Sequence, residues 1–149
     1  MKQNKDWEMD DYRLYLQGHL RDHHFPEAGN EEFIKFRSDA AYVAFVRYRL
    51  EGHSVDIAQE LAMRILIENM YVSRWDVVSQ VLEEQFYNRL PSQEKRDDWA
   101  ELLVSLRYTN EILDRHGFNG DYLSRTDSVP MLTELTGLFA DIMDGYYGI

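Results

Sequence analysis

NEEFIKFRSDAAYVAFVRYRLEGHSVDIAQELAMRIL, residues 30–66, carries an apolar pattern of helical period that is interrupted once, at Gly52. Asn30 suits the N-cap of a first helix, because its side-chain oxygen can accept a free N–H of the opening turn, and Glu31 and Glu32 sit where carboxylates meet the positive end of the helix dipole. From Ala40 to Val46 every residue is apolar. A helix here is expected to be buried on most of its circumference and to lie at the centre of the fold. Tyr, Val and Phe also suit a strand. The stretch nevertheless runs for roughly twenty residues without a turn signal, far beyond the usual strand of about 5 to 6 residues. Glu51-Gly52 closes the helix, glycine taking the left-handed C′ position without a Cβ clash. Ser54 then caps a second helix whose apolar face is Ile57, Ala58, Leu61, Ala62, Ile65 and Leu66.

The same logic extends in both directions. Upstream, Tyr12, Tyr15, Leu16, His19, Leu20 and His23 share one face of a helix from about Asp10 to His23, and Phe25-Pro26 ends it, since proline pushes its predecessor out of helical geometry. Downstream, Ser73 and Asp76 form a capping box before a stripe of Trp75, Val78, Val81, Leu82 and Phe86, and Leu90-Pro91 stops it. Ser92 starts a helix carrying Trp99, Leu102, Leu103, Leu106, Asn110 and Leu113, with Gly117 as its C-terminal signal. A loop is expected over residues 118–127. A last helix starts at Ser128, with Pro130 in its first turn and Leu132, Leu135, Leu138, Phe139 and Ile142 on its face. The expectation is an all-α, single-domain bundle of about six helices, with a central buried helix near residues 31–51. Residues 1–149 form the domain, and residues 1–9 a mobile N-terminal tail.

Composition bounds the function. With 149 residues, 44% of them hydrophobic, and eight glycines, one domain with one core is the default. The absence of cysteine excludes a disulfide framework, a thiolate zinc site and a cysteine nucleophile together. Residues 1–9 lack the apolar run of a signal peptide, and no stretch approaches the roughly 18 consecutive apolar residues of a membrane span, so a cytoplasmic protein without membrane attachment is expected. The formal net charge is −11, of which residues 76–149 carry −8. Such a surface repels phosphate backbones, and direct nucleic-acid binding is not expected.

Several constellations invite a functional reading. His19 and His23 stand at i, i+4 and can chelate a divalent metal if a third ligand approaches. The intervening Leu20-Arg21-Asp22 lacks the glutamate of a metalloprotease motif. Gly52 to Ala62 resembles the opening of a helix-turn-helix unit, but the apolar pattern continues through Ile67 and the following helix carries Asp76, Glu83 and Glu84 in place of a basic recognition surface. Arg37 falls on the stripe of Phe33, Ala40, Ala41, Ala44 and Tyr48. A buried guanidinium there requires acceptors, with Glu134 or Glu60 as the expected ion-pair partner; the alternative is an anion-binding pocket around Arg37. Gly137 in mid-helix suggests a close helix contact. Phosphate loop, hydrolase elbow and calcium loop are all absent, and no cofactor is expected.

Phe33 with Arg37 and Ala40-Ala41, then Gly52, Ala58 with Glu60-Leu61-Ala62, Ser73 with Asp76 and Phe86, and finally Thr133-Glu134-Leu135-Thr136-Gly137 resemble the pattern of the Bacteroidetes family called domain of unknown function 1896. The likeness runs from about Tyr12 to Gly148. It implies a small all-helical bacterial protein, often encoded near conjugative or other mobile elements, and it supplies no catalytic residue. The functional expectation is a protein-protein interaction or adaptor module acting on an unknown protein partner or as a homodimer, with catalytic activity left open. The alternatives are a small enzyme or anionic-ligand binder at Arg37, and an acidic mimic of DNA.

Overall fold

Asn30 accepts the Phe33 N–H at 3.0 Å through its side-chain oxygen, and the helix it opens, α2, spans Glu31–Leu50. Gly52, at φ +98°, ends it in the left-handed region, where its N–H bonds to the Arg49 carbonyl and that of His53 to the Tyr48 carbonyl, both at 3.0 Å. Ser54 Oγ accepts from Ile57 to start α3, Val55–Leu66. The computed structural model describes residues 7–121 and 128–147. Among these residues the only regular structure is helical, with no strand.

The all-α class follows the periodicity, but the chain divides into two compact units, residues 1–71 and 72–149. In the first unit α1, Met9–Asp22, a short 3-10 turn at Pro26–Gly29, and α3 all pack on α2. Tyr12, Leu16 and Leu20 of α1 are fully buried there with Ala41, Ala58, Ala62 and Leu66. The small residues let α2 and α3 approach closely. The Tyr12 hydroxyl donates to Gln59 Oε1 at 2.6 Å, tying α1 to α3.

In the second unit Ser73 and Asp76 close a reciprocal capping box, 3.0 and 2.9 Å, at the start of α4, Arg74–Gln85. There follow α5, Gln93–Val104, α6, Arg107–Arg115, and α7, Val129–Tyr147. Val77, Val78, Val81 and Leu82 of α4 share a core with Leu103, Leu113, Met131, Leu135 and Phe139. Chain length predicts one core. The buried side chains instead gather in two clusters, one per unit, because each set of neighbouring helices closes its own apolar faces.

Three local expectations change. The single helix expected from Ser92 to Leu113 is broken at Ser105-Leu106, where the Asn110 amide donates to the Val104 and Leu106 carbonyls, each at 2.9 Å. This gives seven α-helices among the described residues instead of about six. Gly137 makes no close helix contact, since a Cβ added there would meet nothing within 4 Å. Trp7 packs its ring on Tyr12 and Tyr15, so the inner end of the expected 1–9 tail belongs to the fold, while residues 1–6 lie outside the described residues. Of the expected loop 118–127, residues 122–127 also lie outside them.

Candidate functional site

Arg37 lies at the edge of the buried face of α2, with its guanidinium over the Phe33 ring one turn earlier, 5.0 Å from the centroid. Its Nη1 donates to the carbonyls of Glu68 at 2.9 Å, Leu66 at 3.2 Å and Ile65 at 3.5 Å. Ile65 and Leu66 close the last turn of α3, where carbonyls are left without an intrahelical partner and the helix dipole is negative, and Glu68 follows two residues on. The expected ion pair with Glu134 or Glu60 is therefore not the arrangement found. Glu60 lies 3.9 Å from Arg64 on the exposed side of α3. Glu134, in the second unit, accepts from Arg115 at 2.8 Å and His116 at 2.7 Å. Several helix-end carbonyls supply the acceptors that a guanidinium needs, so no carboxylate is required.

His19 and His23 do come together, their ring centroids 4.6 Å apart. The Nε2 of His19, however, meets the Met70 carbonyl at 2.5 Å. A carbonyl only accepts, so that nitrogen carries its proton and offers no lone pair to a metal. The ring is also stacked on Tyr15 and on Phe25. Among the described residues no three His, Cys, Asp or Glu side chains are placed to share an ion. His19 thus fastens the segment after α3 to α1.

Glu134 is a strongly polarised surface carboxylate. Its carboxylate is held well below the usual range, at about 2, first by the hydrogen bond from Arg115 and next by that from His116. The Arg115 guanidinium is correspondingly raised, chiefly by the same hydrogen bond. Nearby, Arg74 donates to Asn110 Oδ1 at 2.7 Å and pairs with Asp114.

Among the described residues an open groove of about 340 Å³ passes His19 and His23 on α1, and two others lie between helices. One of about 370 Å³ runs between α4 and α7, with Val81 and Leu132 in its floor and Gln80, Glu84, Thr133 and Thr136 at its rim. Another, of about 410 Å³, lies between α1 and α2 and includes Asp10, Arg13, Lys35, Ser38 and Asp39. Arg37 lines neither. The hydroxyls of these two grooves are committed to the backbone: Ser38 donates to the Ile34 carbonyl, Thr133 to Val129 and Thr136 to Leu132. The charges are paired within each helix, Arg13 with Asp10 at 3.2 Å and Lys35 with Asp39 at 2.7 Å.

The feature that sequence reasoning missed is the outer face of α2. Its buried stripe is Ile34, Ala41 and Phe45. On the opposite side Phe36 is 72% exposed, Val43 61% and Leu50 84%, with Val46 at 38% beside them. The seven-residue apolar run predicts burial almost all round; the helix is central to its unit but covered on one side only. A signal was present. Phe36, Val43 and Leu50 are spaced by seven, which keeps them on one line diametrically opposite Ile34, Ala41 and Phe45.

These observations describe an all-helical protein several of whose polar side chains secure its own helix ends, and whose α2 shows an exposed apolar face. No helix among the described residues is long and apolar enough to cross a membrane. The chain belongs to the family described as domain of unknown function 1896, whose model matches residues 3–147. The fold is similar to the crystal structure of protein PG0816 from Porphyromonas gingivalis, with a TM-score of 0.86, 27% identity and 93% of each chain covered. No curated protein matches the sequence.

Proposed function

We propose that this chain is a protein-interaction module whose docking face is the outer side of α2. The observation that carries the reading is the line of Phe36, Val43 and Leu50, three large apolar side chains left mostly in water on a helix whose other side is core. Apolar surface of this kind, rimmed by charged residues, gains roughly 25 cal/mol for each Å² that a partner covers. Lys35, Asp39 and Arg47 supply the rim. The rival anion pocket loses its support, since Arg37 already satisfies itself on carbonyls. An acyl- or phosphoryl-transfer site finds none either, because the groove hydroxyls serve the backbone. The genomic setting that the family resemblance implies makes products of mobile elements the first partners to test.

The test is a photo-crosslinking amino acid placed at Val43 in the native cell, with Glu83 on α4 as an exposed control. Crosslinked species are expected from Val43 and not from Glu83. A Val43 position that captures nothing would overturn the reading.

A further inference from the structure

We infer that the occupant of the α2 face is a second copy of this chain, its α2 lying antiparallel to the first across a two-fold axis at Val43. The inference rests on the module reading and adds the partner.

Phe36, Val43 and Leu50 form a straight ridge of three layers, about 21 Å long at 1.5 Å per residue. This is the shape of a helix-helix seam. Phe36 and Leu50 are each seven residues from Val43. In an antiparallel pair Phe36 of one copy therefore meets Leu50 of the other, Val43 meets Val43, and the three layers have the same size pattern from either end. A surface that is complementary to itself in this way makes a closed two-fold contact.

The charges select the orientation. Asp39 and Arg47 are each four residues from Val43, and Lys35 and Glu51 each eight. Antiparallel pairing brings Asp39 level with Arg47 of the other copy, and Lys35 level with Glu51, on either side of the seam. Parallel pairing would set Asp39 level with Asp39 and Arg47 level with Arg47. The opposed helix dipoles favour the same choice.

The balance of the whole chain selects this face. In a chain of net charge −11, α2 carries four basic and three acidic residues. Each of α1, α3, α4, α5 and α7 is net acidic and α6 is neutral. Two such chains repel at long range, and α2, the one helix with a net basic balance, adds no net acidic charge to that repulsion. The dimer is therefore expected to tighten as salt is raised, opposite to a complex held by attraction of unlike charges. One helix per copy makes a small interface, of the kind found in weak, reversible complexes.

Sedimentation of the purified full chain from about 1 to 200 µM tests this. A monomer-dimer equilibrium with a dissociation constant in the micromolar range, tightening between low and high salt, is expected. Val43→Glu, on a side chain already in solvent, should leave the helical melt unchanged and weaken the dimer by at least tenfold. Because the chain has no cysteine, a single introduced thiol reports geometry directly. Val43→Cys should give a covalent dimer on oxidation. Phe36→Cys should not, as the two copies of that position stand about 21 Å apart along an antiparallel seam. Crosslinking by Phe36→Cys, or failure of Val43→Cys, would overturn the antiparallel pair even if Val43→Glu failed to fold. A chain that stays monomeric throughout, while Val43 still crosslinks a different protein in cells, removes the second copy and leaves the module. Loss of both removes both.

Discussion

Arg37 turns its charge on carbonyl oxygens instead of a carboxylate, and Arg96, nine-tenths buried, does the same with the Leu90 carbonyl at 2.7 Å. Removing Arg37 therefore strands no buried anion. Arg37→Ala should lower the stability by about 1.5 to 3 kcal/mol, the range for hydrogen bonds to a charged group, as read by urea unfolding. A loss of about 4 kcal/mol or more would point to a stranded ion-pair partner. Added phosphate or sulfate should make no difference between wild type and variant. Glu134 gives a pH prediction of definite sign. Its folded pKa, about 2, lies below the ordinary 4.5, so the unfolded chain binds more protons between these values and stability falls as pH drops through that window. NMR titration should show the Glu134 carboxylate still ionised at pH 3, and Arg115→Ala should move its midpoint upward; a midpoint near 4.5 in wild type would refute the pairing. The caps at Asn30, Ser54 and Ser73 were legible in the sequence because a cap is a contract between residues three apart. The acceptors of Arg37 were not, since backbone carbonyls belong to every residue and leave no mark on the sequence.

Helix ends were legible where glycine takes a left-handed conformation, as at Gly52 and Gly117. The break between α5 and α6 was not, because Ser105-Leu106 holds neither glycine nor proline and the group that satisfies its carbonyls, the Asn110 amide, comes several residues later. Apolar periodicity located α2 within a residue or two, yet it could not say that one side of the helix would stay bare. Composition gives the same letters to a buried face and to a face awaiting a partner. Gly137 tests helix energetics without packing. It is exposed on α7 and a Cβ there meets nothing, so Gly137→Ala should stabilise the chain by about 0.5 to 1 kcal/mol through helix propensity alone. A thermal or urea melt decides it, and destabilisation would reveal a close neighbour.

At the scale of the molecule, the all-α class could be read from the apolar periodicity, and the absence of a thiol from composition. The division at residues 71 and 72 could not. It depends on which faces close on which, and no linker of Gly, Pro or Ser announces it. Each unit holds its own buried cluster, so residues 1–71 and 72–149 expressed separately should each give a helical spectrum and a cooperative melt; a fragment that stays unfolded would show that its cluster is insufficient alone. The order of the two clusters along the chain also has a consequence during synthesis. All the core residues of the first unit lie before residue 72, and a ribosome adding about 5 to 20 residues per second needs several seconds more to finish the chain. Helical units with local contacts fold in microseconds to milliseconds. A first unit that folds on its own presents a finished α2 while the second half is still being translated, and neighbouring ribosomes on one message then hold such half-made chains where the proposed α2 pair can form before either is released.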